Sequence, residues 1–183
     1  LSRVDVKKGL DLLIAAFALI AAKHADLRLI ICGEGDPMLL AALRQQAEVL
    51  GLKGRITWAG QVSGEMRLAA FAAAEMFVLP SHSENFGIAL LEAMAAGLPC
   101  ISTDQVALAV DAARVPAVVI AKQDPPRLAQ AIEELLASET QRQQLSHAAR
   151  RLAREDYSLE AMGRGLHRLY QDVTHGSISS TSE

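Results

Sequence analysis

Four charged side chains of this chain stand in short polar loops or in the first turns of a helix that follows one: Arg3, Lys8 and Glu84 in loops, and Glu92 in the helix. Arg3 and Lys8 flank a short polar loop closed by Gly9. A helix starting there would present N–H groups that no intrahelical carbonyl accepts, and two cations beside such an end form a receptor for a diphosphate. An ionised carboxylate only accepts hydrogen bonds, so Glu84 and Glu92 suit the hydroxyls of a polar ligand. On one helix they would lie about 80° apart at roughly 100° per residue. With Glu84 in the loop just before the helix, both can still face one cleft. Taken singly, the cations also read as a solvated surface pair, and either carboxylate as a cap or surface group.

These residues need a scaffold, and the apolar pattern supplies an alternation of helices and short strands. Helical spacing over 9–23 is followed by an apolar strand at 27–32 and a turn, Gly33-Glu34-Gly35-Asp36-Pro37. Asp36 and Pro37 form an N-cap and first-position pair for a helix reaching Leu50. The unit then repeats: strand 55–59, loop 60–64, helix 65–74 and strand 76–80. After the loop holding Glu84 comes an Ala/Leu-rich helix ended by Gly97-Leu98-Pro99, then a strand at 100–103. A short helix at 106–113, a strand at 117–121 and helices at 125–137, 139–155 and 159–173 complete the pattern. The Ser- and Thr-rich tail, 176–183, reads as disordered. Strands alternating with helices of this length predict a parallel sheet with right-handed crossovers, flanked by helices.

Composition agrees with that class and excludes others. In 183 residues, 51% are hydrophobic and only 4% aromatic, so the core is built from Ala, Leu, Ile and Val and no aromatic platform for single-stranded nucleic acid is expected. The formal net charge of -3 makes no field that would favour nucleic acid or a membrane surface, and a small-molecule ligand fits better. Cys32 and Cys100 each sit in an apolar run and read as small buried hydrophobes. No apolar run reaches the roughly 18 residues of a membrane span. The chain opens at Leu1 with what reads as the end of a strand, as a domain cut from a longer protein would.

Every loop with unusual glycine or polar content follows a strand: 33–36, 60–63, 81–87 and 103–105. In a parallel sheet these loops share the carboxyl edge, where ligands bind. Gly33-x-Gly35 is a weak dinucleotide signal, because Met38 stands where the third glycine belongs, yet the turn lets a ligand approach the backbone. His82 is given no catalytic role, since a lone histidine in a Ser-rich turn is more often solvated. His24, His147, His167 and His175 lack ligand spacing, so no metal site is expected. Arg142, Arg150, Arg151 and Arg154 read as a solvated face.

The segment Ser83-Glu84-Asn85-Phe86-Gly87-Ile88-Ala89-Leu90-Leu91-Glu92-Ala93-Met94-Ala95-Ala96-Gly97-Leu98-Pro99 closely resembles the Glu-x7-Glu signature of the retaining glycosyltransferases of family 4, the glycosyl transferases group 1. The resemblance takes in Arg3, Lys8-Gly9, Gly33-x-Gly35, Gly60 and Leu79-Pro80-Ser81, and runs from about residue 1 to 170. It implies the carboxyl-terminal half of a GT-B fold, one Rossmann-like donor-binding domain over 1–175, with the amino-terminal acceptor domain absent. Arg3 and Lys8 would then hold the donor diphosphate and Glu84 the hydroxyls of the transferred sugar, the three forming the catalytic set. Glu92 would accept from the ribose. Asn85, Phe86, Gly87, Ile88 and Leu91 would lie along the sugar and phosphates, with Gly33 and Gly35 close to the donor and Gly60, Gln61 and Val62 near the base.

The implied donor is a UDP-, GDP- or ADP-linked sugar, used with retention and without a metal ion or other cofactor. The acceptor domain would act in cis, with no nucleic acid partner. The setting implied is cytoplasmic, with attachment at the inner membrane face open to the full protein. One departure stands out: many relatives carry Gly-Gly-x-x-Glu after the strand ending at Thr103, where this chain has Asp104-Gln105-Val106-Ala107-Leu108. The isolated domain is expected to bind donor and turn over little. Two other readings stay open, a non-catalytic α/β nucleotide-binding or regulatory module and a sugar epimerase of GT-B architecture, for which the His82 loop offers the sole acid–base candidate.

Overall fold

A computed structural model describes residues 1–174; the expected disordered tail lies outside them. After a single 3-10 turn at Val6–Lys8 come α1 (Leu10–Ala21), β1 (Leu29–Cys32), α2 (Pro37–Val49), β2 (Ile56–Gly60), α3 (Gly64–Ala72) and β3 (Phe77–Leu79). There follow α4 (Ile88–Ala96), β4 (Cys100–Ser102), α5 (Ala107–Ala113), β5 (Val119–Ile120), α6 (Pro125–Ala137), α7 (Glu139–Asp156) and α8 (Leu159–Thr174). The predicted alternation is present throughout. A 3-10 turn stands where the sequence predicts plain loop, and every strand but β2, which keeps its five residues shifted by one, is shorter than its apolar run, β5 most of all.

All strand pairs are parallel, but they form two sheets rather than the one predicted: β1 beside β2, and β3-β4-β5. Leu29 aligns with Ile56, Phe77 with Cys100 and Ile101 with Val119. Residues next to each other on a strand point to opposite faces. On β4, Cys100 joins an apolar cluster with Leu90, Met94, Leu108 and Ala149, whereas Ile101 joins another with Ile14, Phe17, Leu128 and Leu135. Helices therefore cover both faces, with α1 packed on α6 and α4 on α7. This is the doubly wound, Rossmann-like architecture that the pattern predicts.

Local chemistry sets the helix ends. Asp36 Oδ1 accepts from the N–H groups of Met38 (2.8 Å) and Leu39 (3.0 Å), with Pro37 in the first turn of α2. Asp124 caps α6 in the same way, ahead of Pro125 and Pro126. Two of the arginines expected to be merely solvated have structural partners. Arg142 donates to the carbonyls of Leu135 (2.6 Å) and Leu136 (2.7 Å) at the end of α6, and Arg150 donates to Ala96 (3.0 Å) at the end of α4. A cation at a helix C-terminus satisfies free carbonyls and complements the dipole. Ser146 also donates to the Gly97 carbonyl, so α7 grips the end of the helix that carries Glu92.

Candidate functional site

Lys8 leaves the 3-10 turn and meets Glu84, 76 positions later, in an ion pair through Oε2. The turn exists because Asp5 caps it, accepting from the Lys7 N–H at 3.0 Å; that hydrogen bond is the main reason the Asp5 carboxyl lies below its usual range. The loop after β3 is then tied to the turn, because the His82 N–H donates to the Lys7 carbonyl at 2.7 Å. With both backbones held, the Lys8 and Glu84 side chains meet only about one-fifth exposed, at 19% and 21%.

The same loop is fixed from its other side. The Glu84 N–H donates to Gln105 (3.0 Å), and Leu108 donates to the Phe86 carbonyl (3.2 Å), a parallel bridge to the segment after β4. Below it the Ser81 carbonyl accepts from Thr103 Oγ1 (2.7 Å) and from Gln123 Nε2 (2.9 Å), joining the ends of β3 and β4 to the segment after β5. Ser81 is itself fully buried, and its hydroxyl has no hydrogen-bond partner among the described residues. Sequence reasoning passed over Thr103 and Gln123 as supports; the available signal was small polar residues directly after apolar strands.

Gly87 turns this loop into α4. Its φ of 98° is one that side-chain-bearing residues avoid, and a β-carbon there would sit 2.7 Å from Val106 Cγ1. Among the described residues no side chain caps α4 at this end or α1 at Gly9; Leu90 and Leu91 of α4 donate to the Gly87 carbonyl (2.9 and 3.1 Å) and Leu13 of α1 to that of Gly9 (3.1 Å), which leaves the N–H groups of Ile88 and Ala89, and of Leu10, Asp11 and Leu12, uncapped. Asn85, Phe86 and Ile88 are exposed around the turn, and Leu91 is half-buried against the core. Phe86 is propped edge-on by Tyr157, ring centroids 5.7 Å apart; burial pushes the Tyr157 hydroxyl above its usual range.

The remaining expected residues do not join the Lys8–Glu84 pair. Arg3 is 78% exposed and pairs with Asp5 at 3.2 Å, not with Lys8 or Glu84. Glu92 pairs with Arg67 of α3 at 2.8 Å, an interhelical partner that no sequence spacing announced. Gly60 closes β2 and accepts from the Gly33 N–H at 2.7 Å, with Gln61 exposed and Val62 half-buried beyond it. Beside Gly33 and Gly35, a β-carbon would run into the carbonyls of Ser2 and Val4, so the missing side chains make room for the chain's own amino-terminal segment. His82 Nε2 lies 3.7 Å from Asp11 Oδ1. Among the described residues no group of histidine, cysteine, aspartate and glutamate side chains could hold a metal ion. Cys32 and Cys100 are free and buried, and burial pushes the Cys100 thiol far up.

Comparison with known proteins adds independent findings. The family model for glycosyl transferases group 1 matches residues 1–152. The chain is 31% identical over 183 residues to D-inositol 3-phosphate glycosyltransferase of Segniliparus rotundus, covering 95% of this chain and 39% of that protein. To mannosylfructose-phosphate synthase of Agrobacterium fabrum it is 35% identical over 109 residues, 56% of this chain and 24% of that one. It thus spans less than half the length of these curated relatives.

Among solved structures, the C-terminal domain of a group 1 glycosyl transferase, LpcC of Francisella tularensis, superposes with a TM-score of 0.78 at 22% identity, covering 87% of this chain and 84% of that domain. HepE of Anabaena, solved with UDP and glucose, gives a TM-score of 0.81 at 20% identity over 92% of this chain and 46% of its own. At those identities the likeness speaks for the fold, a GT-B domain. No helix among the described residues is long and apolar enough to cross a membrane.

Proposed function

The chain belongs to the glycosyl transferases group 1, and from that premise we propose that its strand-end loops bind a nucleotide sugar and present it for transfer to an acceptor with retention of anomeric configuration. The observation that carries this reading is the meeting of Lys8 and Glu84 between two helix N-termini that no side chain caps. HepE, of the same fold, was solved with UDP and glucose, which supports a nucleoside diphosphate sugar as the ligand class here.

The chemical task is to stabilise a leaving nucleoside diphosphate while positive charge grows at the anomeric carbon. Lys8, with the open N–H groups of α1 and α4, places positive potential where the phosphate charge develops. Arg3, exposed and held near Asp5, closes over the outer phosphate. Glu84 accepts from hydroxyls of the transferred sugar, positioning it rather than moving a proton. Glu92, aligned by Arg67, accepts from the ribose, and the turn at Gly60, Gln61 and Val62 borders the base. In this reading the counter-charge comes from side chains and helix ends, so the reaction needs no metal ion.

Calorimetric titration of the chain with UDP-, GDP- and ADP-linked sugars tests the proposal. Binding of one series that persists in EDTA is expected. Absence of heat from all three at millimolar concentration would overturn it.

A further inference from the structure

Arg67 and Glu92 stand near the starts of two different helices, Arg67 at the end of the first turn of α3 and Glu92 just past that of α4. Side chains on a helix lean towards its amino end. Both therefore reach back towards the turns that open their helices, and they meet with Arg67 Nη1 donating to Glu92 Oε1 at 2.8 Å.

Stability does not account for the pair. A cation this near a helix amino end is disfavoured by the helix dipole. With side chains 44% and 28% exposed, the ion pair is also well solvated, and such pairs stabilise little. What anchors α3 is Phe71, buried and packed edge-on against Phe77 with ring centroids 6.1 Å apart.

Most of the pair's hydrogen-bonding capacity is unused. Among the described residues Glu92 Oε2 has no partner, and neither do Arg67 Nε and Nη2. A guanidinium has donors in one plane and no acceptor, so those two nitrogens can serve only an acceptor. There is room for one beside them. Residues three apart are neighbours on a helix surface, and Gly64, three before Arg67, has open space where a β-carbon would stand. Gly60, at the end of β2, is open in the same way. The two glycines flank Gln61 and Val62, the turn that borders the base in the proposed function.

Resting on that nucleotide-sugar reading, with Glu92 on the ribose, we infer that Arg67 selects a donor whose base carries a ring carbonyl, uracil or guanine, against adenine. The base is attached one carbon from the ribose 2′-hydroxyl. A ribose held by Glu92 Oε2 thus carries its base next to the guanidinium that holds Oε1. The carbonyl oxygens of uracil accept from such a group. Guanine offers O6 and N7 together, which an arginine fork meets with two parallel hydrogen bonds. Adenine has an amino group where guanine has O6, and a donor set against donors leaves both sides unpaired.

The test titrates UDP, GDP and ADP into the 183-residue chain and into its Arg67→Lys and Arg67→Leu variants, with Kd read by calorimetry. The unaltered chain should bind UDP or GDP about tenfold or more tighter than ADP, and the separate titrations tell uracil from guanine. Arg67→Lys keeps a cation on Glu92 but has no fork, so it should retain affinity for ADP and lose most of the preference. Arg67→Leu should lose the preference as well. A merely structural pair would behave differently: lysine would restore binding, and leucine would weaken all three nucleotides alike. That result overturns the assignment, as would equal affinity for the three, a preference for ADP, or an undiminished preference in both variants. In each of those cases the donor reading stands. Absence of binding by all three nucleotides overturns the donor reading, and the assignment with it.

Discussion

Lys8 has one charge and two claims on it: the Glu84 carboxylate it contacts and the diphosphate proposed as its ligand. Lys8→Ala is expected to weaken a nucleoside diphosphate by about tenfold or more, as loss of a charge-assisted contact does, and to leave the free nucleoside nearly unchanged. Parallel titrations of UDP and uridine, or of the matching pair, read the difference; equal losses would remove the diphosphate role. Glu84→Gln should act in opposite senses on two ligands. Freed from its partner, Lys8 becomes more available, and a partly exposed ion pair contributes up to about 1 kcal/mol, so the bare nucleoside diphosphate should bind a few-fold tighter. The nucleotide sugar should lose most of its advantage over that diphosphate. Tightening of both ligands alike would show that Glu84 does not touch the sugar.

The helix entered through Gly87 is the element on which the proposed site depends most. Its entry turn needs a positive φ and has no room for a β-carbon beside Val106, and its far end is held by Arg150 and Ser146 of α7. Gly87→Ala should therefore cost about 1–3 kcal/mol of stability, as strained backbone positions do. It should also weaken donor binding, because the first-turn N–H groups move. Adding Val106→Ala removes the clash but not the φ penalty, so part of the stability should return. Chemical denaturation of the single and double variants measures this; full recovery would mean that crowding alone, not backbone conformation, selects glycine. Exposed loop residues such as Asn85 carry no comparable packing role, so their substitution should spare stability.

In the proposed reading, the described residues supply one wall of a cleft. A growing positive charge at an anomeric carbon needs an acceptor held in line and water kept away, and the loops of one sheet edge supply neither. The 183-residue chain is accordingly expected to bind nucleotide sugar with little or no release of nucleoside diphosphate when simple sugars or lipid-linked acceptors are added. A coupled assay for the released nucleotide checks it, and turnover on the order of 1 s⁻¹, common for enzymes, would mean that the chain suffices.

What could be read from residue order is what depends on near neighbours. Apolar runs against Gly, Pro and Asp punctuation located the strands and helices within a few residues, since capping by Asp36 or Asp124 acts over two or three positions. The strand-end placement of Arg3, Lys8, Glu84 and Gly87 followed from the same alternation, because parallel strands put every such loop on one edge. Partners across the fold were not legible. Lys8 with Glu84, Arg67 with Glu92 and Arg150 with the end of α4 are contacts 76, 25 and 54 positions apart, set by crossovers and helix packing. The division of the sheet likewise depends on which strand edges find a partner, a property of neighbours in space. So the sequence by itself determined the α/β class, the site's edge and the candidate residues. Tertiary structure alone decided which charges meet, which glycines admit the chain's own backbone, and where the sheet divides between β2-β1 and β3-β4-β5.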